Sequence, residues 1–376
     1  MSQITDSWTP NGAVRLLPGY TLICFSHLRW NFVFQRPQHL MSRFAQGHRV
    51  IYWEEPEQAL AECAPALGVR TCAETGVVVV TPSLPEGMPE EARRASLKAL
   101  LDEFIAGETG PIVRWYYTPM MLPLSRHLEA ACTVYDCMDE LANFRFAPAD
   151  LLDLERELLE IADVVFTGGY SLYEAKKGRH HNIHPFPSSV DQPHFRQARG
   201  GVPVPPDQAA LGRPCFGFYG VVDERMDLAL LAALADSHPE WAIAIVGPVV
   251  KIDPADLPAR PNLHYLGSRD YAQLPAYLAG WDVALMPFAI NESTRFISPT
   301  KTPEYLAGGC PVVSTPITDV VRHYADLEGV FIADGADAFI ARCEQALALA
   351  RGPGDWLVEA DAKLAHLSWD ITHARM

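Results

Sequence analysis

The sequence predicts two doubly wound α/β domains facing a central cleft, and three observations carry that expectation. Short runs rich in Val, Ile, Tyr and Phe recur along the chain. They are apolar on successive positions, as parallel strands covered on both faces are. Helical patterns alternate with these runs, which places helices on the faces of each sheet. The alternation stops over 186–214, a stretch rich in Pro, Gly and polar residues, and then restarts. A break of that composition reads as a link between two domains.

In the first half, strands are expected at 20–25, 50–53, 77–80, 112–117, 133–135 and 164–166, with helices at 38–45, 89–104, 149–161 and 171–177. In the second half the strands are 216–219, 242–246, 264–266, 283–286, 312–314 and 330–332. The helices there are 226–235, 274–279, 303–307, 318–324 and 336–350. The expected division is a first domain over 1–190, a link over 191–213, a second domain over 214–360, and a final segment over 361–376 that crosses back to the first domain.

A chain of 376 residues can bury two cores of this size. Its formal charge of -16 argues against non-specific binding of nucleic acid or of an anionic membrane as a main activity. Weak peripheral membrane contact is the most that is expected. The stretch Met1 to Asn11 is polar, and the apolar run at 20–25 is far too short to cross a bilayer, so neither a signal peptide nor a transmembrane segment is expected. Cysteines such as Cys24, Cys63, Cys137, Cys215 and Cys310 stand apart, with no C-x-x-C pair, and read as buried thiols of a reducing compartment. The expected location is cytoplasmic.

The richest segment is SPTKTPEYLAGGCPVVS, 298–314. Ser298, Pro299 and Thr300 look like the start of a helix. A helix start offers free N–H groups and a positive dipole end, which suit a diphosphate. Lys301 adds a full charge in the first turn, with Thr302 beside it. Glu304, one turn on, has a carboxylate able to accept both hydroxyls of a ribose. Gly308 and Gly309 then end the helix. The pattern also fits a plain capped helix with an i,i+3 Lys–Glu pair of small energy.

This segment, KTPEYLAGGCPVVST, resembles the K-x-x-E-Y-x-A-x-G-x-P-V-V helix and strand of the retaining glycosyltransferases of group 1, which have the GT-B fold. Three further stretches share the resemblance in the same order: SSVDQPHF, GFYGVVDERMDLALL and LHYLGSRDYAQLPAYLAGWDVALMPF. Together they cover most of 188–316. The resemblance implies a nucleoside-diphosphate sugar held by the second domain. Glu304 would hold the ribose and Lys301 the diphosphate, with Ser298, Thr300 and Thr302 also among the donor-binding residues. The backbone at Gly220 would approach the phosphates, and Gly247, Leu266 and Gly267 would line the nucleotide pocket. One position departs: the family's second glutamate, eight residues before the ribose-binding one, is here Phe296. Glu292 lies nearby in another register. Arg295 reads as a phosphate ligand or a solvated loop residue. The family's usual Arg and Lys pair after the first strand of the second domain is also missing in its usual form, and Arg225 is the only base nearby.

Two clusters of the first half belong to the acceptor side in this reading. In SHLRWNFVFQRPQHL, Arg36 and His39 open a helix at a strand end, and Trp30 offers a face for a sugar. A structural role for the same residues would pair Arg36 with Glu54 or Glu55 and pack His39 between the domains. In VYDCMDELANF, a strand delivers Asp136, Asp139 and Glu140 to its end, where carboxylates orient hydroxyls or act as bases. Both stretches resemble a bacterial polysaccharide-type subgroup of the same transferases.

The expected activity is therefore transfer of a sugar from a nucleoside diphosphate to a hydroxyl of a saccharide or other acceptor. Asp139, His39 and Lys301 would carry the chemistry. No cofactor is expected, and no metal, since no D-x-D motif occurs. The alternatives are a sugar-nucleotide epimerase or hydrolase, or a non-catalytic binding protein of the same fold. A nicotinamide-dependent oxidoreductase is disfavoured, because no G-x-G-x-x-G turn occurs.

Overall fold

The computed structural model describes residues 19–376; the polar stretch Met1 to Asn11 lies outside them. Among the described residues there are two sheets. The first comprises β1 (Thr21–Phe25), β2 (Arg49–Trp53), β3 (Glu57–Ala59), β4 (Ala66–Thr71), β5 (Val78–Pro85), β6 (Ile112–Tyr116), β7 (Cys132–Cys137), β8 (Val164–Thr167) and β9 (Ile183–Pro185). Its order is β3-β5-β2-β1-β6-β7-β8-β9, all parallel, with β4 antiparallel on β5. The second comprises β10 (Cys215–Tyr219), β11 (Ala242–Val246), β12 (Leu263–Gly267), β13 (Val283–Met286), β14 (Val312–Ser314) and β15 (Val330–Ile332). Its order is β12-β11-β10-β13-β14-β15, all parallel.

The central strands are buried along their whole length because both faces carry helices: β1 reads TLICF, β10 CFGFY and β11 AIAIV. Such strands need no polar alternation. Strand order reverses between β1 and β6 in one sheet and between β10 and β13 in the other. Open α/β sheets bind ligands outside the carboxyl ends of strands at such a switch point. Here the two switch points face one cleft.

Three strands among the described residues were not expected from sequence. They are the edge strands β3 and β4 and the short strand β9. Strand β4 is mostly exposed, so no burial pattern marks it. The region over 186–214 is not bare loop either. It contains the helices Gln192–Arg196 and Pro206–Ala209, and Phe195 is fully buried in the core built around β10. The helix expected from Ser298 begins at Lys301, with Thr300 at its cap, so it has only two turns, ending at Ala307.

Helix Trp369–Arg375 lies on the first domain. Trp369 is fully buried in the cluster around β1 and stacks on His39 at 4.6 Å. Asp370 pairs with Arg43 at 2.7 Å. All eight cysteines are free; Cys63 is exposed and Cys72 half-buried, against the expectation of uniformly buried thiols. Among the described residues no helix is long and apolar enough to cross a membrane.

Candidate active site

The cleft between the sheets encloses about 930 Å³. Its second-domain wall is built by glycines that let three segments converge. Gly220, directly after β10, has φ +142, and a Cβ there would fall 2.3 Å from the Lys301 Cε. Gly247, directly after β11, has φ +148, and a Cβ there would fall 1.9 Å from the Gly220 carbonyl oxygen. Both conformations are ones that L side chains rarely adopt. The result is a Lys301 side chain laid over exposed backbone, with its Nζ 5.6 Å from the Phe218 ring centroid.

Glu304 sits one turn further along the same helix and is almost fully buried. The Tyr219 hydroxyl donates to its carboxylate at 2.9 Å, and the Tyr305 hydroxyl in turn accepts the Tyr219 backbone N–H at 3.1 Å. Burial pushes the Glu304 carboxyl up to about 7, although Lys301 and the Tyr219 hydrogen bond pull the other way. Burial likewise lowers the Lys301 ammonium. A carboxylate and an ammonium held in one dry pocket are matched to a ligand with both hydroxyl donors and anionic oxygens.

Arg225 completes this wall. Its guanidinium is bidentate on Asp223, with contacts of 2.7–3.1 Å, and faces the Phe144 ring at 5.5 Å. Sequence reasoning gave it little weight. The signal was the D-E-R triplet after the first strand of the second domain, where Asp223 fixes Arg225 in place. Across the cleft stands Asp139, half-buried and raised to about 6 by burial, with Arg225 the main influence in the other direction. Asp139, Arg225 and Lys301 therefore share one electrostatic neighbourhood, contributed by both domains.

Ser298 and Thr300 also line the cleft. Several other expected residues are placed elsewhere. The Thr302 hydroxyl points into the core and donates to the Met286 sulfur at 2.9 Å. Leu266 packs on the core, and the Gly267 carbonyl is occupied by the Gly247 N–H at 2.9 Å, so the next loop, from Ser268 to Ala272, forms that edge instead.

On the first domain, Arg36 touches the cleft, but its guanidinium is committed to Asp136 through contacts of 2.8–3.0 Å and to the Phe186 carbonyl at 2.7 Å. Its partner is Asp136, not Glu54 or Glu55. Asp136 is 0% exposed, so neither member presents charge to an acceptor. Glu140 pairs with Lys176 at 2.8 Å, away from the cleft. His39 is 2% exposed, stacked on Trp369 and edge-on to Phe34 and Tyr271. Burial lowers its pKa well below the ordinary value, which keeps it neutral. Trp30 borders the cleft, yet its ring packs edge-on against Tyr52 at 5.0 Å and presents little face to a sugar. Arg295 lies over Phe296 and pairs with Glu292 as a solvated loop residue. Phe296, at the position of the family's second glutamate, packs against the first domain's core.

The turn between β4 and β5 was not read from sequence as part of the site. Residues 70–75 of that hairpin form the far wall of the cleft.

Residues 213–348 match the family described as glycosyl transferases group 1. A glycosyltransferase of Bacillus subtilis (strain 168) named for teichuronic acid biosynthesis is 27% identical over 281 residues, spanning 68% of each chain. Sucrose-phosphate synthase from Thermosynechococcus elongatus superposes with a TM-score of 0.67 at 15% identity, covering 95% of this chain and 97% of that one. The Anabaena protein HepE in complex with UDP gives 0.64 at 12% identity, covering 95% and 98%. The structural likenesses establish the fold, and the sequence matches point to the same class: the chain is a glycosyltransferase of the GT-B fold whose residues 213–348 form a domain matching the group 1 glycosyl transferases.

Proposed function

We propose that the enzyme moves a sugar from a nucleoside diphosphate, bound on the second domain, to an acceptor hydroxyl presented from the first domain. The observation that carries this reading is the placement of Glu304 and Lys301 beside the open backbone of Gly220. Glu304 accepts the ribose diol. Lys301 and Arg225 meet the diphosphate, with the free N–H groups of the short helix beside them. These positive groups stabilise the departing diphosphate without a metal ion. Asp139 faces them from the opposite wall, orients the acceptor hydroxyl and takes up its proton. Most of the rate then comes from holding two substrates in one closed cleft.

Retention at the anomeric carbon follows from the likeness to the group 1 enzymes. The name of the Bacillus subtilis relative supports an acceptor in polysaccharide or glycoconjugate synthesis, and the cytoplasm expected from the sequence is the location we propose. The solved complex of HepE with UDP makes uridine diphosphate the first donor nucleotide to try. The decisive experiment is a thermal-shift screen against nucleoside diphosphates and their sugars, followed by assay of nucleotide release with and without saccharide acceptors. Release that never depends on an added acceptor would replace transfer with hydrolysis, and no shift with any nucleotide would remove the donor assignment.

A further inference from the structure

The side chain of Tyr271 stands where the two domains meet. It leaves the loop after β12 and borders the cleft. Its ring stacks on His194 at 4.3 Å and on Phe34 of the first domain at 4.6 Å. His39 and Phe195 meet it edge-on at 5.5 and 5.6 Å. The His194 Nε2 lies 3.0 Å from the Tyr271 backbone carbonyl. A ring held from so many sides has little freedom to turn, so its hydroxyl has a fixed direction.

That hydroxyl is buried, and the described residues supply no hydrogen-bond partner for it. Among the residues that line the cleft, it is the one buried side-chain polar atom in this condition. An unmet buried hydroxyl is costly, and protein folds rarely leave one without a reason. The charged groups nearest in influence are Glu304 and Asp191, which places the hydroxyl at the ribose end of the site.

We propose that Tyr271 is a recognition residue for the donor nucleotide, donating a hydrogen bond to an oxygen of the nucleoside diphosphate beside Glu304. This rests on the reading of Glu304 as the ribose ligand. Because Phe34 of the opposite domain lies on the same ring, nucleotide recognition and interdomain contact share one side chain. The packed ring presents its hydroxyl to the nucleotide and at the same time holds the first domain's loop against the second domain.

The test uses the full chain with UDP, ADP and GDP as probes, continuing with whichever binds the wild type most tightly. Tyr271→Phe keeps every ring contact and removes only the hydroxyl. Without nucleotide it melts at or above the wild-type temperature, because an unmet polar group has been removed. With nucleotide its stabilisation is smaller, and its dissociation constant rises by about fivefold to tenfold, the worth of one ordinary hydrogen bond. Phe34→Ala weakens nucleotide binding as well, through loss of the ring's support. A Tyr271→Phe protein that melts several degrees lower when empty, or that binds nucleotide as tightly as the wild type, overturns the proposal. Glu304→Ala run in parallel separates the two levels. If Glu304→Ala loses affinity and Tyr271→Phe does not, the Tyr271 role alone fails; if Glu304→Ala binds normally, the ribose site itself is misplaced.

Discussion

The Asp319 carboxylate of the second domain accepts the backbone N–H of Ser171 at 2.9 Å, so it caps a helix that belongs to the first domain. The capped helix is Tyr170–Lys176, which begins just after Gly169. A Cβ on Gly169 would lie 2.2 Å from the Asp319 Oδ2 and 2.8 Å from the Ser298 Cβ. The donor loop, the cap and the first domain thus meet at one point without room for a methyl group. Gly169→Ala is expected to wedge the domains apart and to lower transfer roughly tenfold to a hundredfold, since small misplacements of reacting groups have effects of that size. Asp319→Ala should lower stability by about 1 kcal/mol as a lost cap. The double variant should recover part of the activity lost by Gly169→Ala. An assay of the three proteins with one donor and acceptor pair decides this.

Glu304→Ala is expected to weaken nucleoside-diphosphate binding by about 1.5–3 kcal/mol for each charge-assisted bond removed. Calorimetric titration measures it, and unchanged affinity would sink the ribose assignment.

The same residue should give a signature in pH. Its folded-state pKa is raised from 4.5 to about 7. The protonated form is therefore favoured by folding, and the associated stability is present below pH 4.5 and lost as pH rises through 7. Glu304→Gln cannot ionise. Its melting temperature relative to the wild type should accordingly climb as pH goes from 5 to 8. A constant difference across that range would mean that the carboxylate is already ionised in the empty protein.

Lys301→Ala should reduce binding of a nucleoside diphosphate far more than binding of the bare nucleoside, because its proposed partner is the diphosphate. Equal losses in the two titrations would instead make it a structural lysine.

Asp139→Asn preserves size and removes basicity. Transfer to the acceptor should fall by about a hundredfold to ten-thousandfold if Asp139 is the base, with donor affinity nearly unchanged. A modest fall with a raised acceptor KM would assign it to hydroxyl positioning. With the carboxyl raised to about 6, wild-type kcat/KM should increase with pH through that value, and this limb should vanish in the variant.

The parallel strands were legible because burial on both faces leaves an uninterrupted apolar run, as in AIAIV of β11. The edge strands β3 and β4 carry no such signal: Glu57–Ala59 and Ala66–Thr71 are largely exposed, and pairing with β5 alone makes them strands. In the site, Lys301 and Glu304 could be read because one helical turn places them together. Packing of His39 between the domains was one of the two readings the sequence offered, but its partner was not legible, since the ring that covers it is Trp369 from far along the sequence. Arg36 was recognised as an arginine at a strand end, but its partner, Asp136, is 100 residues away and only the fold brings them together. Removing one member of that buried pair should cost about 3–5 kcal/mol, which makes it a stability determinant.

The return of helix Trp369–Arg375 to the first domain bears on how the chain is made. Arg43 and Asp370 are 327 residues apart in sequence, yet they close the same face. During synthesis, the early helix Arg36–Phe44 leaves the ribosome long before Trp369 exists to cover His39 and His373 to cover Phe44. The first domain is therefore born with an aromatic socket open to solvent, and its last packing step waits for nearly the whole chain. Contacts of such long range slow folding and prolong exposure of sticky surface. The first-domain sequence expressed as an isolated fragment should accordingly be prone to self-association, and a synthetic peptide carrying Trp369 to Arg375 is the natural agent to quench it.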